Sequence, residues 1–510
     1  MLSPAAADCT LSAPIGAVMI VGWHHGRVPS SFDLPVFPGL VLGALLGGLA
    51  GNPSVPPEMH SRLASASIDR SVLARRRDLS SEAVAVLAQD RDVAVRVRLA
   101  AHPALPPEVQ AVLAVDPDAG VRAQLAEGPE YFTTVGVQGR HLPGPLAREI
   151  YLLLAEDPSP EVRRALVFNA HLPEDVRIGL LEDADSRTAR LAATEWRSVP
   201  NGLITDLLPR LTSPFDRQML LYRLDGPLPS AAAQILLADL DAEPGDDLTD
   251  LVRLIAETAD LDGDLLRRFL AAPNLRAALA VNPTLPAEYL GDLARDPDDE
   301  IRAAVVARQD LDPTIREAMA VDYDDRSSTT IGWLLNADLT QEDRLAFARS
   351  RHQIFRKTLA MRADLSDEIV EILARDESFA VRLFVCERQP NAPGWLLAEI
   401  ADQWTSYSRW DMLNHKNFPA AAATRLACSE DPHDRTVAAA HPGLPADVIE
   451  ALLADDVRAV RHRAASNPAI LTARLIELLS SSDTAVTAGA AANPALPVPV
   501  MRLLLRQAGL

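Results

Sequence analysis

The sequence predicts an all-α protein, a solenoid of about seventeen two-helix repeats of roughly 26 residues each. Three observations carry this. One phrase recurs at an almost fixed period, apolar residues within each copy are spaced in threes and fours, and the composition is rich in proline and poor in aromatics. The 510 residues include 39 Pro against 24 Gly and only 5% aromatic residues. That suits short helices started or stopped by proline and leaves little material for a large β-sandwich or barrel core.

The recurrence is visible by eye. AAHPALPPEVQAVLAVDPDAGVRAQLA (100–126) and AVNPTLPAEYLGDLARDPDDEIRAAVVA (280–307) align without a gap, and AAHPGLPADVIEALLADDVRAVRHRAA (439–465) is a further copy. The central apolar residue of the NPxLP phrase serves as a marker. It falls at Leu285, Leu311, Leu339, Leu365, Asn391, Phe418, Leu444, Ile470 and Leu496, in steps of 26, 28, 26, 26, 27, 26, 26 and 26. Upstream, Val55, Leu79, Leu105, Leu142, Leu172, Val199, Leu228 and Leu261 follow less evenly. The domain reading is an apolar, irregular segment over 1–50 and a repeat array over 51–510, with an insertion at 127–141 and irregular repeats at 199–280.

Each repeat holds two apolar clusters at helical spacing, separated by a polar turn. In the repeat at Leu105, Pro106 and Pro107 open the first helix, whose buried face is Val109, Val112 and Leu113. Asp116, Pro117 and Asp118 stop it and cap the second, whose stripe is Val121, Gln124, Leu125 and Ala126. Helices this short do not persist alone in water, so stacking on neighbouring repeats must stabilise them.

The phrase NPxLPxEVxxxLAxDPDxxVRxxxA resembles the leucine-rich repeat variant family and, more distantly, HEAT-type α-solenoids, over about nine tenths of the chain. The resemblance implies a right-handed superhelix of short helices, some tightened to 3₁₀ turns. The founding variant-repeat architecture carries an iron-sulfur cluster on N-terminal cysteines that this chain lacks, so no cofactor is carried over. Six repeats keep an Asp and an Arg six residues apart: Asp90 and Arg96, Asp116 and Arg122, Asp157 and Arg163, Asp296 and Arg302, Asp376 and Arg382, Asp455 and Arg461. In HEAT repeats such residues form a buried ladder between successive repeats. The same role is expected here in preference to acid–base chemistry, because six even copies fit one active site poorly.

A second polar series stands three residues before the marker: Asn52, Arg76, His102, Asn169, Asn282, Asn336, Arg362, His415, His441, Asn467 and Asn493. Helix capping through a left-handed turn is the expected role. The alternative is a polar edge that meets a partner, with histidines adding pH sensitivity.

Departures from the repeat are where function is sought. Residues 127–141 insert Tyr131, Phe132, Val135 and Val137 among Gly and Thr. Residues 393–415 gather Trp395, Trp404, Tyr407 and Trp410, and these four are the candidate partner-binding residues, Trp404 and Trp410 foremost. Charge is uneven too: residues 239–264 hold ten acids against Arg253 alone, and residues 62–98 hold eight arginines against five acids.

The formal charge of −21 argues against a surface built to grip nucleic acid. Three cysteines, Cys9, Cys386 and Cys428, make neither a disulfide framework nor a metal-ligand spacing and fit a reducing, cytoplasmic setting. Residues 34–57 carry no charge, and Gly39, Gly43, Gly47 and Gly51 recur every fourth residue, a spacing that permits close helix packing in membranes. The strongly apolar part, 36–50, is shorter than the roughly twenty residues a span needs. Membrane contact through 34–51 is therefore secondary to an apolar cap on the first repeat. No HExxH, GxSxG, GxxxxGK or GxGxxG phrase occurs. The expected function is a non-enzymatic scaffold, without cofactor, metal or catalytic residues, that binds a protein or peptide. The alternative is a HEAT-like enzyme acting on nucleic acid, of the DNA glycosylase type.

Overall fold

The computed structural model describes residues 34–128, 145–242, 249–322 and 330–510, apart from 197, 212 and 407. Among these residues the chain is all-helical: thirty-four α-helices and short 3₁₀ turns, with no strand and two isolated bridges, Val199 to Leu224 and Leu228 to Ala259. It packs as two compact units. One comprises residues up to Leu113 together with Leu397–Leu510, the other Ala114–Leu396. The insertion residues Tyr131, Phe132, Val135 and Val137 lie outside the described residues.

The local logic of the helices is repeated many times. A proline in extended backbone opens first helices, as Pro173, Pro286, Pro445 and Pro497 do with φ between −60° and −65°. The proline ring fixes that φ, and its missing N–H is no loss at a helix start. An aspartate opens second helices. Asp118 accepts hydrogen bonds from the N–H groups of Gly120 and Val121, and Asp92, Asp298, Asp431 and Asp483 cap in the same manner. In the example repeat Val109, Leu113, Val121, Leu125 and Ala126 are buried, but Val112 is 43% exposed. Val112 thus falls outside the apolar stripe in which the sequence pattern placed it.

The described residues of 199–280 remain helical. They include the short turns Asn201–Leu203, Leu208–Arg210 and Pro273–Leu275 and one long helix, Ser230–Ala242. A single apolar core runs through them, from Ala193 by way of Leu236, Ile255 and Phe269 to Phe355. Part of the acidic stretch is paired, Asp239 with Arg217, Asp241 with Arg268 and Glu257 with Arg253.

The Gly39–Gly51 helix lies against the Thr484–Ala492 helix and also touches Val498–Gln507. Its register copies that of the preceding helix. A Cβ on Gly48 would come within 2.2 Å of the Ala488 carbonyl oxygen and 2.8 Å of the Ala491 Cβ, and one on Gly489 would meet His462 O and the Ala465 Cβ at the same two distances. Both glycines precede their ladder asparagine, Asn52 or Asn493, by four residues. The close approach is therefore made by Gly48. Gly39, Gly43 and Gly47 have nothing within 4 Å of a built Cβ, so the every-fourth-residue pattern is not what packs. The helix continues the stack beyond Thr484–Ala492 in addition to touching the first repeats. No helix among the described residues is long and apolar enough to cross a membrane.

Candidate partner-binding site

Most recurring polar residues are engaged internally. Each ladder arginine donates to the carbonyl oxygen of the aspartate six residues before it: Arg96 to Asp90 O at 2.7 Å, Arg122 to Asp116 O at 2.6 Å, Arg163 to Asp157 O at 2.6 Å, Arg302 to Asp296 O at 2.6 Å, Arg382 to Asp376 O at 2.7 Å and Arg461 to Asp455 O at 2.7 Å. The rest of the guanidinium often reaches the next repeat's carboxylate, Arg122 to Asp157 at 2.7 Å, Arg163 to Asp183 at 2.6 Å and Arg461 to Asp483 at 2.6 Å. Arginine's planar fork suits a carbonyl and a carboxylate together. The Arg163 guanidinium holds Asp183 below the usual carboxylate range. Burial pushes Asp157 upward, but Arg122 and the Ser159 N–H prevail and its pKa is lowered.

The second series is buried rather than displayed. Asn467 donates to Ala439 O at 2.8 Å and His441 O at 3.0 Å, and its own Oδ1 accepts the Ala469 N–H at 2.8 Å. Asn493, Asn282 and Asn52 repeat this geometry. His102 and His441 do the work of an asparagine: Nε2 donates to Arg76 O or Phe418 O at 2.8 Å, and Nδ1 accepts the N–H of Ala104 or Gly443. Accepting a backbone N–H requires an unprotonated Nδ1, and burial lowers the pKa of His102 in keeping with that. The left-handed capping turn is not found. Asn52, Asn282 and Asn493 sit in extended backbone with φ of −76°, −63° and −69°. Nor is the series a partner-facing edge, since Asn52, Asn282, Asn467 and Asn493 are fully buried. Asn336 is the exception, exposed and bonded only weakly within its own helix, at 3.4 Å to Gly332 O. Arg308, three residues before Leu311, and Gln389, two before Asn391, play the same cross-repeat role.

The four aromatic candidates separate. Trp395, in the second unit, is 43% exposed with the Arg375 guanidinium 5.5 Å from its ring centroid. Trp404 is half-buried, its Nε1 donating to Ser408 Oγ at 2.8 Å, so it braces a turn. Tyr407 lies outside the described residues. Trp410 is 40% exposed on the Arg409–Leu413 helix, and its ring meets that of His433 at a centroid distance of 4.7 Å.

Trp410 borders two open grooves of the first unit. One, of about 610 Å³, is lined by Thr405, Arg409, Leu413, Asp431 and His433. The other, of about 680 Å³, is lined by Thr436, Arg458, Ala459, His462 and Arg463. Beneath Trp410, Arg409 binds Asp434 at 2.5 Å and Ala401 O at 2.9 Å, which fixes the helix carrying the ring. Burial and the neighbouring Arg463 and Arg458 lower the pKa of His462, so it is neutral at pH 7. No cluster of metal-ligating side chains occurs among the described residues. The chain matches no protein-family model and no curated protein.

Proposed function

We propose that the protein is a non-enzymatic scaffold, an α-solenoid of about seventeen two-helix repeats wound as a right-handed superhelix, that binds a protein or peptide partner on a helix face. The observation that carries the reading is Trp410. In a chain with only six tryptophans, this one is exposed, in contact with the tilted ring of His433 and set between two grooves. Rigid aromatic rings at a groove edge supply most of the binding energy of such interfaces. The two ladders support the architecture, since their hydrogen bonds link neighbouring repeats and are consumed in doing so. A cytoplasmic setting without cofactor belongs to the same proposal. Arg70, Arg76 and Arg96 of the basic N-terminal stretch are bound to Asp90, Asp78 and the Asp90 carbonyl, which weakens the nucleic-acid alternative.

The test is affinity enrichment from host lysate with the intact chain and with Trp410→Ala and Trp395→Ala, each checked for unchanged helicity. A protein recovered by the intact chain and lost with Trp410→Ala supports the reading. Recovery unchanged by either substitution removes the site, and recovery of nucleic acid alone overturns the scaffold.

A further inference from the structure

The groove of about 680 Å³ has a chemical character of its own. Trp410, Thr436, His462, Ala488 and Gly47 each stand five residues ahead of a ladder residue, His415, His441, Asn467, Asn493 and Asn52. They therefore occupy one position on successive helices. Along that row the side chains are indole, hydroxyl, imidazole, methyl and hydrogen, so the bulk stands at the Trp410 end. A Cβ on Gly47 would meet nothing within 4 Å.

Arg458 and Arg463 flank His462 on the helix Arg458–Ala465 and are both exposed. Neither forms an ion pair among the described residues, although the chain carries a net charge of −21. The reason is local. The nearby carboxylates are already held: Asp434 by Arg409, Asp455 and Asp456 by Arg435, and Asp483 by Arg461. Asp431 accepts the His433 N–H at 2.8 Å as a helix cap. Two cations that no carboxylate pairs among the described residues thus face an open groove beside an exposed indole.

We propose that this groove, bounded by Trp410, Thr436, Arg458, Ala459, His462 and Arg463, binds an acidic peptide segment of a partner protein. Carboxylates of the segment meet Arg458 and Arg463, whose forks bind carboxylate in bidentate fashion, and an apolar or aromatic side chain packs on Trp410. A peptide fits better than a nucleic acid, because two cations match a pair of carboxylates and are too few to neutralise a polyphosphate backbone. The inference rests on the scaffold reading above and adds the partner's charge.

The probe is a fluorescein-labelled random copolymer of glutamate and tyrosine, titrated into the full chain at low and at physiological salt. A lysine–tyrosine copolymer and a single-stranded DNA oligonucleotide serve as comparisons. The acidic copolymer should bind, and Arg458→Glu/Arg463→Glu should weaken it on the order of tenfold or more at low salt. A charge-matched control at two exposed arginines of the second unit, Arg187→Glu/Arg295→Glu, should leave it unchanged. Binding should also raise the pKa of His462 in NMR titration, since an anion nearby favours the imidazolium, a readout that a purely structural role for the arginines would not move. The proposal is overturned if the acidic copolymer does not bind, if both double variants weaken it equally, or if the lysine copolymer or the DNA binds in its place. Should the copolymer fail while Trp410→Ala still abolishes recovery of a lysate protein, the acidic-partner inference falls and the scaffold reading stands.

Discussion

Adjacent glycines in the Gly39–Gly51 helix should respond to the same substitution with opposite signs. Gly47→Ala adds a methyl group to open space, whereas Gly48→Ala drives one to 2.2 Å from the Ala488 carbonyl oxygen and 2.8 Å from the Ala491 Cβ. The first contact is with backbone, so no rotamer change relieves it and the two helices must move apart. Replacing glycine by alanine within a helix gains about 1 kcal/mol of intrinsic propensity. That gain is common to both variants, and their difference isolates the steric cost, about 1–3 kcal/mol for overpacking. Gly47→Ala is therefore expected to stabilise by up to about 1 kcal/mol and Gly48→Ala to destabilise by up to about 2 kcal/mol. Gly489→Ala, with the same two contact distances, should behave like Gly48→Ala. Repeat arrays need not unfold in one step, so the assay combines thermal unfolding with hydrogen exchange of the amides in Gly39–Gly51 and Thr484–Ala492. Equal responses at 47 and 48 would refute the claim that Gly48 alone permits the close approach.

Three further outcomes follow from the polar ladders. Asn467→Leu leaves the carbonyls of Ala439 and His441 and the Ala469 N–H without their partner, which should destabilise by at least about 2 kcal/mol. Asn467→His should cost markedly less in the same unfolding assay, because His102 and His441 already fill this role. Stability should fall as the pH drops below about 6.5, because burial lowers the pKa of His60, His102 and His352 in the folded chain and the unfolded chain takes up protons first. His102→Asn should flatten that part of the profile, and an unchanged slope would count against a neutral His102. A second loss is expected below the ordinary carboxylate range, about pH 4, where Asp157 and Asp183 take up protons as the pH falls through their lowered pKa values, and Arg163→Met should reduce it.

The all-helical character was legible in the sequence because apolar spacing, proline starts and aspartate caps are local signals. A cap is formed by residues two or three positions apart, so Asp118 or Asp298 can be read without knowing any neighbour. The six-residue spacing of Asp and Arg was equally plain, and the arginine-to-carbonyl half of that ladder lies within one repeat. What the partner of each recurring Asn or His would be was not legible. The Nδ2 group of Asn467 binds carbonyls 28 and 26 residues earlier, and nothing in the local sequence distinguishes that from a helix cap. The glycine pattern misled for a related reason: spacing alone does not say which side of a helix meets a neighbour.

The sequence by itself therefore determined the helical character and the residues that open the helices, both set by interactions over a few residues. Only the tertiary structure decided that Asn52 bonds to Ala491 and Asn493 across more than 400 residues of chain. It also decided that Gly48 rather than Gly47 is packed, that Trp404 is tied to Ser408 while Trp410 stands exposed, and that Arg458 and Arg463 lack a carboxylate. Each of these depends on which side chains from distant repeats compete for the same space or the same charge. That competition is settled by packing and is not written in any local stretch of the chain.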